Sequence, residues 1–407
     1  MMPPSACGSH AVIRKPRAAA ARDSSADQIA IETLVHSLKK RSRRKLAVFL
    51  GAGASKPFGY PLTRELMLEI LKQLREGSIL QGRGSKSDKK SERPCAELLD
   101  FLYALLPGKR VSAKVVPTVT SVLSLLDYSL ASGQAILAKH TLDETRRARQ
   151  LLERALLEVI PDEDYFSPDE STRFDRFTGW LCALRNRRPP GGLGIITTNY
   201  DMLADLAAIR AADVAGSVGH WSLDDLASKV DYGFRWLRAD RKREELIPRP
   251  LSPVVSLYKL HGSTNWLRCP LCENLYVNPN GPIAWDAFEP TSDNECHCSE
   301  TRLVPQIVSP SFVREMRDPN LAAVWKSALD LLREADHWLI VGYSFPDEDV
   351  GIRALFTRAF GSRRGTPLIS VVQGDERARV NYECFFPAGS VSYLATGLES
   401  VLKHVSS

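Results

Sequence analysis

The chain lacks any apolar run approaching the ~18 residues that would span a bilayer. Its opening residues, MMPPSACGSH, also lack the charged-then-apolar layout of a secretory signal. Both absences point to a cytoplasmic protein with no membrane association. Cysteine is scarce, at 8 of 407 residues, and Cys7, Cys95, Cys182 and Cys384 are scattered, so no disulfide framework is implied. A general surplus of one charge sign is missing too, once the formal charge of +6 is located. Residues 1–45 hold ten Lys or Arg against Asp23, Asp27 and Glu32, which leaves the rest of the chain close to neutral. A near-neutral body does not indicate a nucleic-acid surface, which needs basic residues clustered on the folded domain. The cluster from Lys39 to Lys45 could touch an anionic partner, but it reads most simply as a solvated helix end ahead of the first strand.

What is present is an alternation of short apolar runs and helix-spaced segments. Lys45–Leu50 is a buried strand that ends in the glycine turn GAGAS at 51–55, and TRELMLEILKQL from Thr63 has helical spacing with Thr63 available as a cap. The Gly/Ser/Lys-rich stretch 77–94 reads as a surface loop. Strand signals return at 194–197, 254–260, 337–341 and 368–372, with helices at 319–334 and 349–360. Strands alternating with helices predict an α/β, Rossmann-like parallel sheet with helices on both faces. Four amphipathic pieces between 95 and 189 predict a helical insertion. The expected organisation is a basic tail or helix over 1–44, a core domain from 45–94 and 190–407, the insertion at 95–189, and a small metal ribbon within 266–304.

Ligands of such sheets bind at the carboxyl ends of the strands. The polar motifs here sit at those ends: GAGAS, TTNYD at 197–201, HGS at 261–263 and VGYSF at 341–345. Each has an ordinary structural explanation by itself. Glycines make tight turns, Asn and Asp cap helices, and a lone histidine is commonly a satisfied core residue. Each also has a chemical one. Glycine lets backbone approach a phosphate, a carboxylate beside an amide can hold a carboxamide and a water, and imidazole accepts a proton near neutral pH. Cys269 and Cys272, then Cys296 and Cys298 after 23 intervening residues, form two close thiol pairs separated by a loop. That spacing suits a structural tetrahedral Zn2+; four thiolates leave no open coordination position for catalysis.

In combination and order, these strings resemble the signatures of the sirtuin family over roughly 45–70 and 190–395. GAGAS followed by GYPLTR at 59–64 is similar to the family's glycine loop, TTNYD to its T-x-N-x-D motif, and KLHGS at 259–263 to its H-G motif. The resemblance implies NAD+ as substrate. Gly51, Ala52, Gly53 and Ser55 would line its pyrophosphate, Arg64 would lie near the nicotinamide-side ribose, and Thr198 would contact the cofactor. Asp201 would grip the nicotinamide carboxamide, Asn199 would position a water or a ribose hydroxyl, and His261 would be the general base. Gly342 and Ser344 would contact the adenosine, with Gln373 a weaker match near the adenine ribose. The family also carries a zinc ribbon at this point of the chain.

Two departures bear on the reaction. Thr63 stands where the family's deacylases have a phenylalanine lid that discourages water, and the helical segment between the first two motifs is enlarged. Both are similar to the divergent sirtuin-like branch of prokaryotic anti-phage systems, whose members hydrolyse NAD+. The resemblance therefore implies an NAD+ hydrolase yielding ADP-ribose and nicotinamide, regulated as an NAD-depleting defence effector. It would work as a homo-oligomer or with a partner such as an ATPase or nuclease. The alternatives are an NAD-dependent deacylase or ADP-ribosyltransferase, and a subunit that senses NAD or ADP-ribose for such a partner.

Overall fold

The computed structural model describes residues 24–80, 93–106, 116–161, 167–217, 220–239, 246–288, 295–298, 301–308, 318–363 and 365–405. Residues 1–23 of the expected basic tail and 81–92 of the expected surface loop lie outside them. No helix among the described residues is long and apolar enough to cross a membrane.

Seven strands form the centre: β1 Leu46–Leu50, β2 Leu193–Thr197, β3 Val230–Asp231, β4 Val255–Lys259, β5 His337–Val341, β6 Leu368–Val372 and β7 Val391–Leu394. Their order is β7-β6-β5-β1-β2-β4-β3, and every pairing is parallel. Every residue of β1, β2 and β4 is buried, because helices cover the sheet; this is why β1 and β2 read as near-continuous apolar runs rather than alternations, while β4 also buries Ser256 and Lys259. The order reverses between β1 and β5, since the chain runs outward from β1 to β2 and β4, then returns to build β5, β6 and β7 on the other side. Such a reversal opens a crevice at the carboxyl ends of the two strands.

The helices are α1 Ser24–Lys39, α2 Leu66–Glu76, α3 Arg93–Leu105, α4 Val119–Ser132, α5 Leu142–Glu158, α6 Pro168–Asn186, α7 Leu203–Ala211, α8 Pro319–Glu334, α9 Val350–Gly361 and α10 Leu398–Val405, with shorter ones between. One group, α1, α6, α7 and α10, packs together on one side; α8 and α9 pair on the other. The helical stretch 95–189 divides between two cores. Helices α3, α4 and α5 share an apolar core with α2, built on residues such as Met67, Ile70, Leu98, Leu123 and Leu152. Helix α6 instead turns Phe174, Phe177, Trp180 and Leu181 into the core of the sheet. Each such side chain contributes about 1.5–3 kcal/mol on burial, enough to fix α6 to the sheet rather than to its sequence neighbours.

Beyond β4 the chain reverses into a four-stranded sheet ordered Val304–Ile307, Gly262–Arg268, Leu275–Val277, Leu237–Arg238. Its outer end holds the cysteine pairs over a small core that includes Leu267, Tyr276 and Leu303.

Candidate functional site

The parallel register brings the strand ends level. Leu50 pairs with both Thr197 and Val341, Thr197 with Lys259, and Val341 with Val372. The residues that follow each strand therefore open onto one cavity of about 950 Å³. Ala52, Gly53, Ser55 and Arg64 line it from the β1 side, Thr198, Asn199 and Asp201 from β2, His261 from β4, and Gly342 and Ser344 from β5. Gln373 lines it after β6. Gly51 lies beneath this wall, buried, with its carbonyl turned to Asn199.

A hydrogen-bonded relay runs through the floor. The Asn199 amide nitrogen donates to the Gly51 carbonyl at 3.0 Å and to Ser55 Oγ at 2.8 Å. Because the Gly51 carbonyl can only accept, the orientation of the amide is fixed. Both amide hydrogens are thereby committed, so Asn199 offers the cavity an acceptor, its Oδ1. Ser55 passes its own hydrogen to Asp201 Oδ2 at 2.7 Å, and Asp201 Oδ1 accepts from the Leu203 backbone at 3.1 Å in the tight turn that leads into α7. Asp201 is only 6% exposed. Burial pushes its pKa above the ordinary carboxylate range, opposed by the Lys259 charge and by the Ser55 and Leu203 donors.

Lys259, the last residue of β4, is completely buried, a placement that the apolar run around it did not announce. Its ammonium donates to Asp205 Oδ2 at 2.5 Å and to the Asp201 backbone carbonyl at 2.6 Å. It thus ties α7 and the floor of the cavity to the strand that carries His261. Burial also raises the pKa of Asp205, with Lys259 pulling it back. His261 is 6% exposed and forms part of the cavity wall. Its carbonyl accepts from Val308 at 2.8 Å, and the Val308 carbonyl accepts from the Tyr200 hydroxyl at 2.7 Å. The His261 backbone and the Tyr200 ring are thus braced against the same residue.

The wall between β1 and β5 is backbone against backbone. Gly53 donates to the Gly342 carbonyl at 2.7 Å, and a Cβ on Gly53 would stand 2.8 Å from Gly342 Cα. Gly342 has φ +66, and its Cβ would fall 2.0 Å from the Ala54 nitrogen. Only glycine permits this approach. Downstream, Phe345 holds φ +52, an uncommon conformation for a bulky residue. Arg353 secures it by donating to the Phe345 carbonyl at 3.0 Å and stacking its guanidinium 4.9 Å from the ring centroid. The Tyr343 hydroxyl donates to Asp349 at 2.7 Å, so Tyr343 acts as a buried brace within the wall.

The sequence suggests a helical module that covers a pocket or makes an oligomer contact, but it does not show which helical residues reach the cavity. Leu66 of α2, Thr118, Thr120 and Ser121 at the start of α4, Ile160 and Arg173 all line it. Arg173 also donates to the Pro57 carbonyl at 2.7 Å, clamping α6 to the loop after β1. At the rim, Arg64 lies 3.6 Å from Asp375, whose pKa is lowered chiefly by its hydrogen bond with Arg377. The Thr and Ser residues carry no motif, and only packing of the helical module brings them to the site.

The four clustered cysteines meet as their spacing predicts. All four sulfurs lie within 4.8 Å of one another, with Cys269 and Cys298 at 3.7 Å and Cys272 and Cys296 at 3.5 Å. A tetrahedral zinc with bonds of ~2.3 Å sets its sulfurs ~3.8 Å apart, whereas a disulfide requires ~2.05 Å. The backbone N–H groups of Leu271 and Cys272 point at Cys269 Sγ at 3.4 Å, and the Tyr276 hydroxyl lies 3.2 Å from Cys296 Sγ. These are donors of the kind that steady thiolates around a metal. The set can hold a zinc ion, and the C-x-C pair supplies both of its sulfurs.

No protein-family model matches the chain, and no curated protein matches it. Among solved structures, one described under the structural basis for the mechanism and regulation of Sir2 enzymes is 15% identical, with 93% of this chain and 97% of that chain covered and a TM-score of 0.43. A mutant Sir2 homologue in complex with 2'-O-acetyl ADP-ribose is 16% identical, covering 92% and 96% with a TM-score of 0.38. A mutant Sir2 homologue in complex with ADP-ribose is 15% identical, covering 92% and 96% with a TM-score of 0.35.

Proposed function

We propose that the cavity binds NAD+ and cleaves the bond between nicotinamide and C1′ of the ribose, with water as the acceptor. The observation that carries this reading is the Ser55–Asn199–Asp201 relay facing the same cavity as His261. Loss of nicotinamide leaves positive charge on the ribose, so the site must hold the leaving carboxamide, tolerate the cation and deliver a nucleophile. Asp201 is an acceptor fixed by two donors and suited to the amide hydrogens of nicotinamide. Asn199, with its hydrogens spent, orients a water or ribose hydroxyl through Oδ1. His261 takes a proton from the ribose hydroxyl or from the water as the water attacks C1′ and nicotinamide leaves. Ala52, Gly53, Ser55, Thr198 and Arg64 would flank the pyrophosphate and adjoining ribose, and Gly342 and Ser344 the adenosine.

Water is favoured over an acyl-lysine because Thr63, a small polar residue, lines the cavity where the related deacylases carry a phenylalanine. A hydrolase of this kind would deplete cellular NAD+, which fits an effector of anti-phage defence acting as a homo-oligomer or with an ATPase or nuclease partner. Purified chain incubated with NAD+ and no peptide should release nicotinamide and ADP-ribose. Asn199→Ala and His261→Ala should each abolish that release while keeping the far-ultraviolet circular dichroism of the parent. Turnover that requires an acyl-peptide would replace this reading with a deacylase.

A further inference from the structure

The face opposite the cavity carries a cluster of basic residues. It is assembled from two segments far apart in sequence. The chain from Lys39 to Lys45 leaves α1 and enters β1; the chain from Arg185 to Arg188 ends α6 ahead of β2. A backbone hydrogen bond of 3.0 Å from Ser42 to Arg187 joins them, and Leu46 donates to Gly192 at 2.9 Å just beyond. Because β1 and β2 are adjacent strands in register, the two basic segments lie side by side along the amino-terminal edge of the sheet.

The charge is not neutralised locally. Among the described residues, the carboxylates that meet this edge are Glu334, which already pairs with Lys45 at 2.5 Å, and the exposed Asp336, whose N–H donates to the Lys45 carbonyl. Helix ends explain part of the cluster. Lys39 sits at the carboxyl end of α1, and Arg187 and Arg188 donate to the Ala183 and Leu184 carbonyls at the end of α6, where cations offset the helix dipole. They do not explain Arg41, Arg43 and Arg44. These three follow the helix, are exposed, and have no side-chain partner among the described residues. The Arg188 charge is also close enough to His337, at the start of β5, to join burial in lowering its pKa to about 4.

We propose that this edge is a docking site for the phosphate backbone of a nucleic acid. Arginine outnumbers lysine across the two segments, and its planar fork matches phosphate oxygens bidentately. The segments KKRSRRK and RNRRPP contain no aromatic residue to stack on bases, so recognition is independent of sequence. They also contain no apolar anchor of the kind that a membrane-surface site joins to its basic residues, which favours nucleic acid over lipid. The site lies at the opposite end of the strands from the cavity, so a bound polymer leaves the cavity open. The proposal is independent of whether the cavity cleaves NAD+.

The test is fluorescence anisotropy of the full chain with labelled duplex DNA of about 30 base pairs, with single-stranded RNA of similar length as a second probe. Engagement of about six phosphates predicts a log–log salt slope near −5, or roughly a thousandfold loss of affinity from about 50 to 200 mM salt. Arg41→Gln/Arg43→Gln/Arg44→Gln should flatten the slope by about 3 and leave the thermal midpoint unchanged; the Glu triple variant should abolish binding. Saturable binding to either probe with this salt and variant dependence supports the site. It is overturned by absence of binding to both at low salt, by affinity that the triple variants do not change, or by binding only to phosphatidylserine vesicles.

Discussion

Replacing Lys259 with Met tests how the floor of the cavity is held. Lys259 and Asp205 are both 0% exposed, and the ammonium bridges Asp205 Oδ2 and the Asp201 carbonyl. The substitution keeps most of the side-chain volume but leaves a buried carboxylate without its counter-ion, a loss of about 3–5 kcal/mol. The orphaned Asp201 carbonyl adds about 1 kcal/mol. The loss should also depend on pH. Burial holds the folded-state pKa of Asp205 above its ordinary value, and removal of Lys259 takes away the charge that pulls it down. Folded variant then binds a proton that unfolded chain releases above ~3.9. Its deficit relative to the parent should grow as pH rises from that value through the raised pKa, and shrink as pH falls toward it. Urea unfolding of both proteins at about pH 5 and pH 8 reads the difference. Adding Asp205→Leu should recover most of the loss, because an apolar pair of similar volume avoids the desolvation cost. A single-variant loss below about 1 kcal/mol, or one that is the same at both pH values, would refute the description of this pair.

Gly342→Ala should destabilise the chain by about 2–4 kcal/mol and weaken ligand binding, since the new Cβ meets the Ala54 nitrogen at a positive φ; thermal denaturation with and without NAD+ checks both effects. Metal analysis should find one zinc per chain, and Cys296→Ser should release it and lower the unfolding midpoint, with the ribbon exposed to protease. Thr63→Phe should slow release of ADP-ribose at least about tenfold, an effect of about 1.4 kcal/mol on the barrier, with little change in stability; unchanged turnover would remove Thr63 from the argument for water as acceptor.

Much of the sheet was legible because its central strands are covered on both sides. LAVFL, LGIIT and HWLIV cannot be amphipathic helices of useful length, and the polar residues that follow them stand out against the apolar runs. The cysteine cluster was legible because two thiol pairs at short spacing are what a tetrahedral metal site requires. The fate of α6 was not. Its Phe174, Phe177 and Trp180 have the same helical spacing as residues that pack among α3, α4 and α5, and periodicity does not say which core an apolar face enters. Lys259 was read only as part of a motif, since a lysine ending an apolar strand gives no sign of its acceptor, Asp205, 54 residues earlier. Thr118, Thr120 and Ser121 reach the cavity through tertiary packing alone. The basic edge was half legible: the cluster from Lys39 to Lys45 stands out in the sequence, but nothing there records that Arg185–Arg188 becomes its neighbour.

The most direct test of the central reading is product analysis by liquid chromatography of purified chain with NAD+ as the sole substrate. Equal amounts of nicotinamide and ADP-ribose should appear with the parent and be lost in Asn199→Ala and His261→Ala. Intact NAD+ with the parent, or product formed only when an acyl-peptide is supplied, would contradict it.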